Sequence, residues 1–175
     1  FYLAHHADLS WAKDDSFSIA AWVKAANSSY CALWTKREGV GDGYQGFYLG
    51  TESGRLDFYL LHDWGDPGGD EGLYVRGSAS APYNTLHNGS WHHLVVTYSG
   101  TATAAGVRCW VDGNEDTGLT AATDRDAVAG DTTNALAIHV GSDNDSNGLP
   151  FGDIDDLVVW NDLVLTPAQV AALYN

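Results

Sequence analysis

Aromatic side chains are the groups of this sequence whose type and spacing could do binding chemistry. Between residues 30 and 76 the alternation of residue types predicts strands, in which successive side chains point to opposite faces. One face carries leucine and phenylalanine and is expected to be buried. The other carries flat rings and charged groups, a mixture suited to sugars, because rings stack on sugar C–H groups while carboxylates and guanidinium groups bind hydroxyls. Its predicted members are Trp34, Tyr48, Asp57, Tyr59, Tyr74 and Arg76.

Two further rings lie in predicted loops. Trp64 stands among glycines and aspartates at 62–70, where a core would not place it, and Tyr44 lies at 41–46 and could reach the same rim. We expect Trp64 to be exposed and to recognise the ligand. The alternative is that loops or a neighbouring subunit cover this face, so that its rings form a second core. The other predicted sheet has its own series of outward-pointing side chains, Trp22, His93, Trp110 and Trp160. We expect this series to pack against other residues or to form an oligomer contact in preference to binding a ligand.

An acidic segment at 143–148 has the spacing of a calcium loop. Asp143, Asp145 and Asn147 place oxygen-bearing side chains at alternate positions, and a glycine follows them, as at the opening of an EF-hand loop. The twelfth position is Ile154 instead of glutamate, which excludes a true EF-hand. The sequence therefore predicts structural Ca²⁺ in a β-loop. The alternative is a solvated turn, because Asp and Asn favour turns.

The charge balance limits the partners of the chain. Its 175 residues include 23 acidic and 8 basic side chains, a formal net charge of −15 at pH 7. Such a surface repels nucleic acid and anionic membranes, so we expect neither as a partner. No apolar run approaches the roughly 18 residues of a membrane helix, so membrane insertion is not expected. The sequence has neither a signal peptide nor a methionine, and we expect a piece of a longer protein.

Short alternating segments between Gly, Asn, Asp and Ser turns are typical of an all-β protein. About nine strands are too many for one open sheet with a solvated face, so we expect two packed sheets in one domain, 1–175. Thr166, Pro167 and Gln169 predict a short C-terminal helix with a capping box. Cys31 and Cys109 allow either one disulfide or two buried thiols. The predicted strands are 16–24, 30–36, 46–51, 55–62, 73–76, 91–98, 107–112, 135–140 and 154–160.

Several segments resemble laminin-G-like jelly-roll domains. Residues 17–24 (FSIAAWVK) resemble the first core strand, 91–98 (WHHLVVTY) with 109–113 (CWVDG) the central hairpin, and 152–160 (GDIDDLVVW) the closing strand. The resemblance covers nearly the whole chain in the expected order. It implies a two-sheet antiparallel jelly-roll sandwich of the concanavalin A-like lectin and glucanase superfamily. It also implies a second possible calcium site between the chain's start and the closing strand, with Asp155 and Asp8 as ligands.

The resemblance is compatible with either an enzyme or a binding module. Retaining glucanases of this superfamily carry Glu-x-Asp-x-(x)-Glu on one strand, which sets two carboxylates about 5–5.5 Å apart. The four glutamates here are isolated from one another, so we expect no enzyme. We expect a non-catalytic carbohydrate-binding, lectin-like module that binds a polysaccharide or cell-surface glycan, extracellular or on a cell or virion surface. The alternative is a structural, adhesion or virion receptor-binding domain whose aromatic faces mediate assembly, including homo-oligomers.

Overall fold

The computed structural model describes residues 2–25, 30–39, 43–64, 71–143, 149–150 and 152–175, which form two packed β-sheets and a C-terminal helix, α1 (Pro167–Tyr174). Short 3-10 turns lie at Ala7–Leu9 and Ala104–Gly106. The strands within these residues are β1 (Tyr2–Leu3), β2 (Ser16–Ala25), β3 (Cys31–Arg37), β4 (Gly46–Glu52), β5 (Arg55–Asp63), β6 (Glu71–Arg76), β7 (His92–Ser99), β8 (Val107–Val111), β9 (Asn114–Glu115), β10 (Thr120–Ala127), β11 (Ile138–Val140), β12 (Leu149–Pro150) and β13 (Gly152–Asn161).

The strands pair into a larger and a smaller sheet, which confirms the predicted sandwich. The larger sheet has the order β1-β11-β3-β4-β5-β6-β10, and β12 adds a two-residue parallel contact to β3. The smaller sheet has the order β13-β2-β7-β8-β9. All nine predicted strands are present, with ends shifted by up to three residues. Strand β10 was not predicted, because its sequence TAATDRDA lacks an apolar alternation; it pairs with β6 at the edge of the larger sheet.

An aromatic core lies between the two sheets. Phe17 on β2 stacks on Trp11 with ring centroids 4.1 Å apart and meets Phe47 of the opposite sheet edge-on at 5.5 Å. Trp11 also donates its indole N–H to Asn161 Oδ1 at 3.0 Å, which ties the chain's start to the end of β13. These rings are almost fully buried, and such close aromatic packing fixes the two sheets face to face.

The C-terminal helix covers the outer face of the smaller sheet. The predicted capping box is present: Thr166 Oγ1 accepts from the Gln169 backbone, and the Gln169 side chain accepts from the Thr166 backbone N–H. Val170 of α1 is fully buried in a cluster with Trp110, and the ring of Tyr174 stacks on Trp22 at 5.8 Å. The tryptophan series predicted on this face is therefore packed against the chain's own helix.

Cys31 and Cys109 lie on different sheets as buried thiols, and burial raises the pKa of both. Both sulfurs are therefore poor nucleophiles at neutral pH, since the reactive form is the thiolate.

No helix in the described part of the chain combines the length and the apolar character needed to cross a bilayer.

Candidate functional site

A ladder of tyrosines runs across the outer face of the larger sheet, the face turned away from the smaller sheet. Tyr48, Tyr59 and Tyr74 occupy neighbouring strands in direct register, with ring centroids 5.1 Å and then 4.5 Å apart. Tyr30 extends the ladder by stacking on Tyr48 at 4.9 Å. The period-2 alternation of a strand puts these rings on one face, as the sequence predicted for Tyr48, Tyr59 and Tyr74.

The middle of this ladder is buried. Tyr48 is fully buried and Tyr59 is 7% exposed, whereas Tyr74 is half-buried. Burial raises the pKa of all three phenols, so their hydroxyls stay protonated, and Tyr48 donates to the Cys31 carbonyl at 3.1 Å. Tyr48 and Tyr59 were predicted as contact residues, but neighbouring rings cover them. They form a floor that supports the rings above, and only Tyr74 of the three offers an accessible face.

Two rings from the flanking turns stand on that floor. Trp64 packs against Tyr59 and Tyr74 with centroids 5.6 Å and 6.2 Å away, and Tyr44 meets Trp64 at 6.4 Å. The structure therefore brings the loop rings and the strand rings together at one rim. Trp64 was expected to stand exposed among glycines; it is half-buried, because the tyrosine floor gives it a packing surface.

A charged cluster borders the rings on the side of the β4–β5 turn. Arg76 forks onto Asp57, with Nε donating to Oδ1 at 2.7 Å and Nη2 donating to Oδ2 at 2.9 Å, and Nη2 also donates to Glu52. The guanidinium lies 5.4 Å from the centre of the Tyr74 ring. Asp57 is fully buried, and this burial raises its pKa to about 6 even though Arg76 acts in the opposite direction. Glu52 keeps 40% of its side chain exposed, and so remains able to bind a ligand.

Trp34 does not belong to this face. A β-bulge in β3 inserts one residue, so that Ala32 pairs with Gly50 but Trp34 pairs with Leu49. After the bulge the side chains exchange faces, and Trp34 lies in the core between the sheets with 3% of its surface exposed. The prediction of Trp34 as a sugar contact is wrong for this reason.

The same bulge brings Arg37 to the outer face, where sequence reasoning did not expect it. Its guanidinium lies 4.9 Å from the ring centre of Tyr44 and 5.1 Å from that of Tyr48. It forms an ion pair with Asp143, whose side chain is fully buried. Strand alternation counted without the bulge assigns Arg37 to the core, so no signal in the sequence identified it.

Neither of the two predicted calcium sites is assembled by the described residues. Both carboxylate oxygens of Asp143 accept hydrogen bonds from Arg37, while Asp145 and Asn147 lie outside the described residues. Asp8 lines a small cavity with Asn161 and Asp162 at the end of β13, whereas Asp155 lies six residues, or roughly 20 Å, back along that strand. Within the described ranges, groups of three or more candidate ligands are absent. Calcium at 143–148 stays a prediction.

Comparison with known families and structures agrees with the sandwich. The model of a laminin G family described as the concanavalin A-like lectin/glucanases superfamily matches residues 2–171. A mouse sushi, von Willebrand factor type A, EGF and pentraxin domain-containing protein 1 is 29% identical in an alignment 153 residues long that covers 82% of this chain. The chain spans about 4% of the length of that curated relative.

Two solved structures show the same fold at low identity. The binding domain of Paraclostridial Mosquitocidal Protein 1 gives a TM-score of 0.65 at 13% identity, over 99% of this chain and 40% of that one. Domain 4 of AbnA, an extracellular arabinanase from Geobacillus stearothermophilus in complex with arabinotriose, gives 0.59 at 16% identity, over 99% of this chain and 71% of that one.

Proposed function

The chain belongs to the concanavalin A-like lectin/glucanase superfamily, and from that membership we propose that it is a non-catalytic, lectin-like module that binds glycans on the outer face of its larger sheet. The observation that carries the proposal is the set of half-buried rings, Tyr44, Trp64 and Tyr74, standing on a buried tyrosine floor beside the Arg76–Asp57–Glu52 cluster. Rings with one accessible face stack on sugar C–H groups, and the adjacent charged groups hydrogen-bond hydroxyls.

The surroundings of the glutamates support binding over hydrolysis. Glu52 is held by Arg76 and Glu115 is held by Arg108 at 2.6 Å, on different sheets of the sandwich. A retaining glycosidase needs two carboxylates about 5–5.5 Å apart on either side of one sugar bond. On the proposed face, the second carboxylate beside Glu52 is Asp57, which is buried beneath the Arg76 fork and serves to orient that side chain.

The relatives support the same class of function. The arabinanase domain was solved with a bound arabinose trisaccharide, and the mosquitocidal protein's domain is a binding domain. By analogy with these proteins, we place the module outside the cell, as one domain of a longer chain that targets a polysaccharide or a cell-surface glycan. The match to a small fraction of the mouse relative agrees with a modular role.

Assembly through the aromatic faces is the competing function. On the smaller sheet, α1 already covers Trp110, so that face would have to shed its helix before it could bind a second copy. Light scattering separates the two functions, because a glycan-binding module needs no partner subunit, whereas an assembly domain forms a stable oligomer without sugar.

The proposal is tested with an array of glycans and with polysaccharide pull-downs. We expect Trp64→Ala to weaken binding at least tenfold, about 1.4 kcal/mol, because it removes the central ring of the rim. Trp91→Ala is the matched control, since Trp91 is 44% exposed and precedes β7 on the smaller sheet, and it should bind as the wild type does. Absence of glycan binding by the wild type, or equal loss in both variants, would contradict the proposal.

A further inference from the structure

We propose that the ligand is a chain of several uncharged sugar residues, bound lengthwise along a row of four flat groups, Tyr44, Trp64, Tyr74 and Arg76. This inference rests on the proposed function and specifies the class of its ligand. All four side chains are half-buried, so each turns part of its surface to solvent.

The spacing of the row favours a chain over a single sugar. Consecutive groups are 6.4 Å, 6.2 Å and 5.4 Å apart, from Tyr44 to Trp64, to Tyr74 and to the Arg76 guanidinium. These steps are similar to one another and comparable to the length of one sugar ring. A site for one terminal sugar would instead converge its rings and polar groups on a single point.

The register of the strands shows that the row is extended. Gly50, Asp57 and Arg76 are paired across the three strands and form one rung of the sheet. This rung lies two residues along the strands from the rung of Tyr48, Tyr59 and Tyr74. Tyr44 and Trp64 lie on the other side, beyond the rung formed by Gly46 and Leu61. From the rung of Gly50 to that of Gly46 is four residues, a span of roughly 13 Å along extended strands, and Tyr44 lies beyond it in the turn before β4. A chain of several sugars could therefore contact the whole row, while one sugar could contact only a part.

The charges along the row favour an uncharged ligand. Arg76 is already engaged by Asp57 and Glu52, and Arg37 beneath Tyr44 is engaged by Asp143. Arg55 pairs with Glu52 in the β4–β5 register, so the two arginines and two carboxylates at this end balance. A sugar carboxylate would have to displace Glu52 from Arg76, and it would approach a chain of net charge −15. Hydroxyl groups can instead bind the partly exposed Glu52 without breaking an ion pair.

The test is titration calorimetry with neutral gluco-, xylo- and arabino-oligosaccharides of one to five residues. In the series that binds, we expect affinity to rise at least about tenfold between one and three residues and then to level off. Tyr44→Ala should weaken binding of the longest oligosaccharide by a larger factor than that of the shortest, because Tyr44 lies at one end of the row. Trp91→Ala, outside the row, should bind both as the wild type does.

Two results would overturn the inference while glycan binding itself stands. One is an affinity that is the same for one residue and for four. The other is a preference for sialylated or uronate-containing chains over neutral chains of equal length. A protein that binds neither neutral nor acidic sugars at any length would refute the proposed function as well.

Discussion

At the scale of single residues, Arg76 contributes both to the stability of the outer face and to its proposed binding site. Its guanidinium makes a bidentate contact with a fully buried carboxylate, Asp57, and lies against the ring of Tyr74. A buried carboxylate without a partner strongly favours its neutral form, and removing one member of such a pair is costly. The fork therefore keeps Asp57 ionised at neutral pH and holds Arg76 in place beside the rings.

We expect Arg76→Gln to lower the free energy of unfolding by about 3 kcal/mol at pH 8 and by much less at pH 5. The folded-state pKa of Asp57 is already raised to about 6, above its unfolded value of about 3.9, and loss of Arg76 raises it further. Between the pKa of Asp57 in the unfolded state and its pKa in the folded variant, the native state binds more protons than the unfolded state. The free energy of unfolding of the variant therefore falls as pH rises between these two pKa values. Denaturant titrations at both pH values measure the effect.

Arg108→Gln is the control for that prediction. Arg108 pairs with Glu115 at 2.6 Å, and its side chain is 44% exposed, so its loss should cost less than about 1 kcal/mol at either pH. Equal losses at pH 5 and pH 8 for Arg76→Gln would contradict the assignment of Asp57 as the buried group that titrates.

At the scale of elements, one bulge in β3 separates what the sequence could predict from what it could not. The alternation in β4, in β6 and in β5 up to Leu61 is uninterrupted, and it correctly placed Tyr48, Tyr59 and Tyr74 on one face. In β3 the extra residue reverses the faces, so Trp34 turns inward and Arg37 turns outward. A bulge is set by pairing with the neighbouring strand, and periodicity along one strand does not reveal it.

Substitution of Trp34 tests this placement. We expect Trp34→Phe to leave glycan binding unchanged and to cost about 1–3 kcal/mol, because the smaller ring stays in the core but leaves part of the site unfilled. Trp34→Ala should lower the free energy of unfolding by about 3–5 kcal/mol through the cavity it leaves. Glycan binding measured at a temperature where both variants are folded distinguishes core from contact. A selective loss of binding in Trp34→Phe would place Trp34 at the ligand after all.

The burial of Tyr48 and Tyr59 agrees with the alternative of a second core, which the sequence raised but could not decide. Both rings were correctly assigned to the outer face, but exposure depends on what the turns bring over that face. Trp64 follows β5 and Tyr44 precedes β4, and the packing of their rings against the ladder is a tertiary contact. The types of group in the site were therefore predictable, whereas the accessible members were not.

At the scale of the whole molecule, the two outer faces of the sandwich differ in how far they are covered by other parts of the chain. The smaller sheet buries its tryptophans under α1, which the chain itself supplies through a capped C-terminal helix. The larger sheet keeps half-buried rings and an exposed carboxylate side by side on its outer surface. The strongly acidic surface disfavours polyanionic partners for any face, and a neutral polymer is unaffected by it.

A crystal structure of the protein soaked with a neutral oligosaccharide that it binds tests whether sugar lies on the outer face of the larger sheet. We predict sugar density in contact with Trp64 and Tyr74, with hydroxyls within hydrogen-bond distance of Glu52 or Arg76. Sugar density elsewhere, for example in the cleft at the sandwich edge lined by Val107 and Leu119, with none over the rings, would contradict the account.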